Sequence, residues 1–140
     1  MSIEYSKPVV IVACGQSKKA GRAPAGELYT GPYFRACLAW ARKFAPDSQI
    51  FILSAKWGLL PLQTIVEPYD VTLGGRGCVK PVYARLQAGR LGIDKCCPVV
   101  LGGRRYVKFC EELFPGIITP LEGAGGMGQQ IAWLRARGKP

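Results

Sequence analysis

Continuous apolar runs along the chain predict strands that are buried on both faces. The clearest is "PVVIVAC", residues 8–14, in which β-branched residues follow one another without polar alternation. Such runs are typical of strands in a parallel sheet, because helices cover both faces of that sheet. The same pattern predicts strands at "QIFILSA", "CCPVVLGG" and the shorter "GIITPLEG", residues 49–55, 96–103 and 116–123.

Apolar residues at helical spacing lie between these runs. Phe34, Cys37 and Ala41 recur with a helical period, and Pro46 cannot continue a helix. Residues 32–44 are therefore predicted to be helical. The same reasoning predicts further helices at residues 82–91, 105–114 and 128–137. No regular element is predicted for "KWGLLPL" or for the Gly- and Pro-bearing loop 67–81, which should lie on the surface.

The alternation of strands and helices predicts an α/β fold. We expect a three-layer sandwich with a mainly parallel sheet of about four strands, formed by a single domain over residues 1–140. Ligands of such sheets bind beyond the C-terminal ends of the strands. The four predicted strands end in "CGQSKK", "SAKWG", "GGRRY" and "EGAGG". If the strands are parallel, one edge of the sheet carries Lys18, Lys56, Arg104 and Glu122 together.

Composition narrows the chemistry available to this fold. The 140-residue chain has six cysteines and no histidine, and no two cysteines have the CxxC spacing that is common in zinc sites. We therefore expect no metal and no cofactor, and reactions carried by Lys, Asp, Glu, Tyr, Cys or Ser. No apolar stretch reaches the roughly 18–20 residues of a membrane span. The N-terminal segment is unlike a signal peptide, so we expect a cytoplasmic protein with no membrane partner.

The formal net charge of +10 points to a polyanionic partner. Lys and Arg side chains that meet phosphates supply most of the affinity in non-specific nucleic-acid binding. We therefore expect nucleic acid or a phosphorylated nucleotide as partner. The alternative is a basic surface that serves only solubility. The sequence indicates no oligomeric state.

The segment "ACGQSKK" follows the first predicted strand. Its backbone N–H groups and Lys18, with Ser17 beside it, could receive an anionic oxygen. It is not a P-loop, because the GxxxxGK[ST] spacing is absent. Two alternatives stay open: Lys18 as a nucleophile toward a sugar aldehyde or an electrophilic base, and a plain solvated turn.

Two later loops carry further candidates. Lys56 in "LSAKWGLL" should face a carboxylate, a ligand or water, because an unpaired buried ammonium is costly. Trp57 either stacks on a base or fills a core or lid position. In "EPYD", Asp70 or Glu67 could be a general base and Tyr69 could contact a base. Acidic turn residues also commonly bind only their own backbone.

The last two loops combine cations, a carboxylate and amides. Arg104 and Arg105 in "GGRRY" could grip a phosphate, or could be plain surface charge. Glu122 in "LEGAGGMGQQ" could be a second carboxylate or the partner of a lysine. Gln129 and Gln130 could read the edge of a nucleobase through their amides. The alternative for this segment is a mobile turn that leads into a helix.

Four blocks of the sequence together resemble one protein family: "ACGQSKKAGRAPAGELYTGPYFRACLAWA", "IFILSAKWGLLPLQTIVEPYDVTL", "VVLGGRRYVKF" and "PLEGAGGMGQQIAWL". This small bacterial and phage family is described only as a domain of unknown function, and it is remotely similar to the peroxide-stress YaaA proteins, which associate with DNA. The resemblance runs from about Val9 to Leu134. It implies an α/β fold and a common site, but it supplies no reaction.

The resemblance also implies which positions form the common site. Gly31 stands where the family usually has a serine, and Gly15 and Gln16 stand where it more often has Ser and Lys, so the first loop has one positive charge fewer. The matching positions are Cys14, Ser17, Lys18, residues 28–30, residues 54–56, Gly58, Leu59, residues 68–70 and residues 128–130.

These observations favour an enzyme that acts on a nucleobase or its N-glycosidic bond in a nucleotide or nucleic acid. The catalytic candidates are Asp70, Glu122 and Lys18; the substrate-binding candidates are Cys14, Ser17, Tyr29, Ser54, Lys56, Tyr69, Arg104 and Gln129. Asp70 or Glu122 would activate water or handle the proton, Lys18 and Arg104 would hold phosphate, and Tyr69 with Gln129 would hold the base. Two alternatives stay open: a non-catalytic DNA-binding module in stress response or phage biology, and a binder of a small phosphorylated metabolite.

Overall fold

A four-stranded sheet forms the centre of the molecule. The computed structural model describes residues 8–137, so residues 1–7 and 138–140 of the predicted domain lie outside the described part. The sheet contains β1 (Val10–Ala13), β3 (Ile50–Ser54), β4 (Gly58–Pro61) and β6 (Val99–Leu101), in the order β4-β3-β1-β6. Strands β1, β3 and β6 are parallel and β4 is antiparallel to β3. A separate antiparallel pair is formed by β2 (Ala23–Pro24) and β5 (Ile65–Val66).

Within residues 8–137, five α-helices connect and cover these strands. They are α1 (Ala25–Leu28), α2 (Pro32–Phe44), α3 (Pro81–Leu91), α4 (Arg104–Leu113) and α5 (Met127–Arg137), with a short 3-10 helix at Asp47–Gln49. Helix α2 has the bounds that its spacing and Pro46 predict. Helix α3 ends at Gly92, whose left-handed φ of 75° is the usual glycine C-terminus of a helix. None of the helices between residues 8 and 137 has the length and apolar character that a membrane crossing requires.

The two faces of the sheet bury two separate hydrophobic clusters. Val10 and Val12 pack on the cluster that contains α2 and α5, whereas Val9 and Ile11 pack on the cluster that contains α3 and α4. Alternate residues of one strand therefore face opposite layers, which explains the unbroken apolar run of β1. The predicted α/β fold, with a mainly parallel sheet of four strands between helical layers, is confirmed.

The chain reverses its winding direction between β1 and β6. From β1 it passes through α2 to β3 on one side of the sheet, and it later returns through α3 to β6 on the other side of β1. Val12 is level with Ile52 of β3 and with Leu101 of β6, so the three parallel strands end at a common edge. Such a switch point leaves a crevice beyond the strand ends, because the loops on its two sides diverge.

Two parts of the predicted strand pattern are wrong. The segment after β3 is not irregular but turns back as β4, which pairs antiparallel with β3 from Ser54↔Gly58 to Phe51↔Pro61. Residues 116–123 do not form a strand. They make one parallel bridge, between Ile118 and Val99, and then turn at Thr119, whose carbonyl accepts the Glu122 N–H. Pro120 lacks the N–H that a longer ladder would need.

The loop 67–81 is irregular as predicted, but part of it is not a surface loop. Leu73 and Val79 are buried in the cluster under α3 and α4. The Val79 N–H donates to the Ala55 carbonyl over 2.8 Å, which ties the loop to the end of β3. The predicted surface position is therefore wrong for these residues, because the loop covers the sheet edge where β3 ends.

Candidate functional site

The switch point opens into a cleft of about 590 Å³. Residues after β1, Cys14 to Ser17, line one wall, and Gly103 to Tyr106 at the start of α4 line the other. Tyr33 of α2 and Met127 and Gln130 of α5 also line it. This is the position where doubly wound sheets bind their ligands.

Gly102 lets the two strand ends approach each other at this cleft. A Cβ atom on Gly102 would lie 2.6 Å from the Cβ of Ala13 and 3.3 Å from that of Tyr106. Contacts of that length between carbon atoms are repulsive. The absence of a side chain at Gly102 therefore allows the two walls of the cleft to approach each other closely.

The N-terminal end of α4 gives the cleft a positive character. Gly103 occupies the N-cap position without a side-chain cap, and the backbone N–H groups of Arg104 and Arg105 have no acceptor among residues 8–137. The first turn of α4 contains these two arginines and no acidic residue, whereas Glu111 and Glu112 lie near its C-terminal end. This order opposes the helix dipole, which favours anions at the N-terminus and cations at the C-terminus. Among residues 8–137, no carboxylate side chain lines the cleft.

Cys14 links the three parallel strand ends at the base of the cleft. Its Sγ atom lies 3.3 Å from the hydroxyl of Tyr106 and accepts the Ala55 N–H at 3.4 Å. Burial is the main cause that raises the pKa of Tyr106 above its ordinary value, and the nearby Cys14 adds to it. The Tyr106 phenol is therefore neutral at physiological pH and can donate its proton in a hydrogen bond.

A second polar network joins Tyr29, Ser54 and Tyr69. The buried Ser54 hydroxyl donates to the Tyr69 hydroxyl over 2.7 Å, and the two tyrosine hydroxyls are 2.5 Å apart. Ser54 Oγ also accepts the N–H groups of Lys56 and Trp57 at 3.2 and 3.0 Å, which fixes the turn after β3. Burial raises the pKa values of Tyr29 and Tyr69, so both phenols stay protonated. None of the three residues lines the cleft.

Lys18 points to these tyrosines rather than into the cleft. Its Nζ donates to the Gln16 carbonyl at 3.0 Å and lies 4.5 Å from the ring centre of Tyr69 and 5.8 Å from that of Tyr29. A carbonyl oxygen and two ring faces suit a charged ammonium. Of the predicted pair, Ser17 lines the cleft and Lys18 does not.

Lys56 belongs to a different surface. It is exposed on the turn between β3 and β4, with its Nζ 4.7 Å from the ring centre of Trp57. Both side chains line a separate cleft of about 640 Å³ that also contains Arg22 and Tyr83. Lys56 therefore follows the C-terminal end of β3, as predicted, but it lines a different cleft from Arg104 and Glu122.

The two predicted carboxylates lie outside the switch-point cleft. Glu122 lines an adjoining cleft of about 420 Å³, which shares Gly103, Arg104 and Gln130 with the first one. The Thr119 hydroxyl donates to Glu122 Oε2 at 3.2 Å. Asp70 is exposed, lines neither cleft, and makes no side-chain hydrogen bond or ion pair with any residue between 8 and 137.

Gln129 and Gln130, at the start of α5, have different contacts. Gln129 Oε1 accepts the Gly126 N–H at 2.7 Å, so this side chain caps the helix and does not line the cleft. Gln130 does line the cleft: its Oε1 accepts the Tyr33 hydroxyl at 2.6 Å and its Nε2 donates to the Gly125 carbonyl at 2.9 Å. One Nε2–H of Gln130 is left for a ligand.

Sequence reasoning did not name Tyr33, Tyr106 and Met127 as site residues, although all three line the cleft. Tyr106 lies inside the quoted "GGRRY" segment, and its position as the third residue of α4 could have indicated it. Tyr33 and Met127 carry no signal in the sequence, because only the packing of α2 against α5 brings them to β1. Among residues 8–137 there is no group of three or more His, Cys, Asp or Glu side chains that could hold a metal ion.

Comparison with known proteins identifies the family but not a function. Neither a curated protein nor a solved structure matches the chain at a significant level. Residues 9–136 match a family of unknown function, DUF6884. The match covers both walls of the cleft and every candidate residue discussed above. The chain belongs to the DUF6884 family of unknown function.

Proposed function

We propose that this protein is a nucleotide- or nucleic-acid-directed enzyme that acts on a nucleobase or its N-glycosidic bond. The observation that carries the proposal is the switch-point cleft. Within the described residues 8–137, it combines two arginines and two N–H groups of α4 without an acceptor, and no carboxylate lines it. A phosphate there would accept from the helix N-terminus and from Arg104. Ser17 on the opposite wall could supply a further hydroxyl.

The rest of the cleft suits a planar base. Tyr33 and Tyr106 present aromatic surface, and the 62% exposed Met127 provides a flexible apolar side chain beside them. The free N–H of Gln130 could donate to a base acceptor. Gln130 thus replaces Gln129 in the role of reading the base. Tyr69 and Lys18 support the first loop from behind.

Glu122 is the carboxylate best placed for chemistry. It lies in the cleft that adjoins Arg104, so a nucleotide whose phosphate rests on Arg104 could extend its sugar toward Glu122. In hydrolysis of the N-glycosidic bond, Glu122 would take a proton from water as the water oxygen bonds to C1′ and the C1′–N bond breaks with its electron pair on the base. The departing base takes a proton from solvent, and Glu122 returns its proton to solvent. Asp70 and a nucleophilic Lys18 have less support, because neither lines these clefts.

Base release from a panel of nucleosides, nucleotides and oligonucleotides tests this proposal. We expect Glu122→Gln to reduce release about 100-fold or more, the usual contribution of a general base, while binding is retained. Asp70→Asn is the matched control, since it removes an exposed carboxylate outside both clefts. Equal activity in both variants, or no release from any member of the panel, would count against the enzyme.

A specific observation favours one alternative, the non-catalytic DNA-binding module. Neither predicted carboxylate lines the switch-point cleft itself. For a DNA-binding module, the affinity for DNA of any sequence should fall steeply as the salt concentration rises, and Glu122→Gln should leave DNA binding intact. A binder of a small phosphorylated metabolite would instead prefer a single compound and show a weak dependence on salt.

Two further expectations accompany the proposal. All six cysteines are free, and burial raises the pKa values of Cys37, Cys96 and Cys110 to about 12, 11 and 12. Protonated, unreactive thiols fit the reducing cytoplasm. The remote similarity to YaaA proteins stays a prediction, and it is consistent with a nucleic-acid partner.

A further inference from the structure

Helix α4 separates the switch-point cleft from a second basic cleft. This second cleft, about 680 Å³ in volume, lies between the loop 72–81 and the outer face of α4. Lys80, Arg105 and Lys108 line it, together with the carboxylate-bearing Glu112. We call it the α4 groove. Arg105 lines both the α4 groove and the switch-point cleft, so the two cavities meet at this side chain.

The three cations of the α4 groove form no ion pair with any residue between 8 and 137. Two ion pairs form within residues 8–137, Lys19 with Glu27 and Arg42 with Asp47, and neither involves the groove. Arg105 makes one long hydrogen bond, from Nη1 to the Leu73 carbonyl at 3.4 Å. Lys80 and Lys108 are exposed and have no partner among these residues. Three cations against one carboxylate leave the groove positive.

The cations are also arranged in sequence along one path. Arg104 faces the switch-point cleft, Arg105 lies at the junction, and Lys108 follows three residues later on α4, a spacing that separates Cβ atoms by about 5–6 Å. That step is comparable with the separation of successive phosphates on an extended strand. A free nucleotide would occupy the switch-point cleft alone. The cations of the α4 groove would then contact no phosphate.

We propose that the substrate is a single-stranded polynucleotide, with the target nucleotide in the switch-point cleft and the neighbouring phosphates along the α4 groove. This inference rests on the proposed function and specifies its substrate class. A single strand is required because a base inside a duplex is stacked and paired, and it can enter a cleft only after leaving the stack. The groove supplies the positive track over which non-specific single-strand binders hold the backbone.

Binding of a fluorescent thymidine octanucleotide, compared with thymidine monophosphate at low salt, tests this inference. We expect the octanucleotide to bind at least tenfold more tightly. The double variant Lys80→Gln/Lys108→Gln should lose that advantage. Lys80→Gln alone should keep the full affinity for the monophosphate, since Lys80 lines neither the switch-point cleft nor the cleft of Glu122, whereas Lys108 also lines the latter. The slope of log affinity against log salt for the octanucleotide should fall by roughly 1.4, at about 0.7 per phosphate contact on single strands.

Matched variants separate the possible outcomes. Lys43→Gln/Lys95→Gln removes the same charge from exposed positions elsewhere and should leave octanucleotide binding unchanged. Arg105→Gln should weaken both ligands, because Arg105 lines both cavities. Equal affinity for monophosphate and octanucleotide, an equal loss in the control variant, or tighter binding of a duplex would overturn the inference.

The inference and the proposed function can fail separately. Monophosphate binding and base release without an octanucleotide advantage would support the proposed enzyme and contradict the polynucleotide substrate. Octanucleotide binding through Lys80 and Lys108, without base release or base modification on any substrate, would support strand binding in the α4 groove and contradict the proposed enzyme. If neither ligand binds at low salt, both are overturned.

Discussion

Ser54 shows how a single buried hydroxyl holds the sheet edge behind the cleft. Its side chain is fully buried, donates to Tyr69, and accepts the N–H groups of Lys56 and Trp57. Removal of a buried hydrogen-bonding partner leaves the other groups unsatisfied, at a cost of about 1–3 kcal/mol. We expect Ser54→Ala to lower the free energy of unfolding by that amount, measured by urea denaturation.

Ser48 provides the control for this prediction. It is exposed in the short 3-10 helix, and Ser48→Ala should change stability by no more than about 0.5 kcal/mol. If both serine variants unfold at the same urea concentration, the turn after β3 does not depend on the Ser54 hydroxyl.

The buried thiols of Cys37 and Cys110 make the fold sensitive to alkali. Burial raises both pKa values from 9.0 to about 12, so the folded chain keeps protons that the unfolded chain releases above pH 9. Stability is therefore complete below about pH 9 and falls as the pH rises toward 12, by about 1.4 kcal/mol per pH unit for each thiol. Tyr29 and Tyr69 add to the loss above pH 10, because their pKa values are raised as well.

Urea denaturation at several pH values, under a reducing agent, measures this loss. We expect a downward slope above pH 9, and Cys110→Ala should reduce that slope by the share of one thiol even if the variant is less stable at neutral pH. A free energy of unfolding that stays level from pH 9 to about pH 10.5 would contradict the assignment.

At the scale of elements, the contact between the ends of β1 and β6 depends on Gly102. A methyl group at this position would overlap the Ala13 side chain, and relief of such overpacking typically costs about 1–3 kcal/mol. We expect Gly102→Ala to lower the midpoint of urea unfolding and to weaken nucleotide binding in the adjacent cleft, measured by fluorescence titration.

The neighbouring Gly103 is the matched control. A Cβ there would meet nothing within 4 Å. Gly103→Ala at the N-cap should therefore cost less than about 1 kcal/mol. An equal loss of stability in the two variants would show that the backbone freedom of glycine, rather than the close approach, is what this junction requires.

Most elements follow from local sequence, and the exceptions have identifiable causes. The β-branched run of β1 and the prolines that flank α2 give local signals strong enough to place both elements closely. Strand β4 contains Gly58 and Pro61, residues that disfavour strands, and it forms because the Ser54 turn returns the chain to β3. Residues 117–118 have strand-forming side chains, yet Thr119 and Pro120 end the pairing after one bridge.

At the scale of the whole molecule, the sequence predicted the position of the cleft better than the residues that line it. Cys14, Ser17 and Arg104 do meet at the C-terminal edge of the sheet, as expected for parallel strands. The strand order β4-β3-β1-β6 is not encoded in any local pattern, so the sequence could not show that β6 rather than β3 borders the cleft. It also could not show that Lys56 lines another cleft, or that Gln130 rather than Gln129 lines this one.

The reversed charges of α4 connect the site to the stability of the entire fold. Each arginine at the positive end of the helix costs about 0.3–1 kcal/mol without a neighbouring anion, and the sequence places two there. An anion that occupies this end compensates the repulsion only in the folded chain, so by mass action it shifts the population toward the native state. The two arginines thus lower the stability of the protein on its own, and any anion that binds at this helix end would increase the folded fraction as its concentration rises.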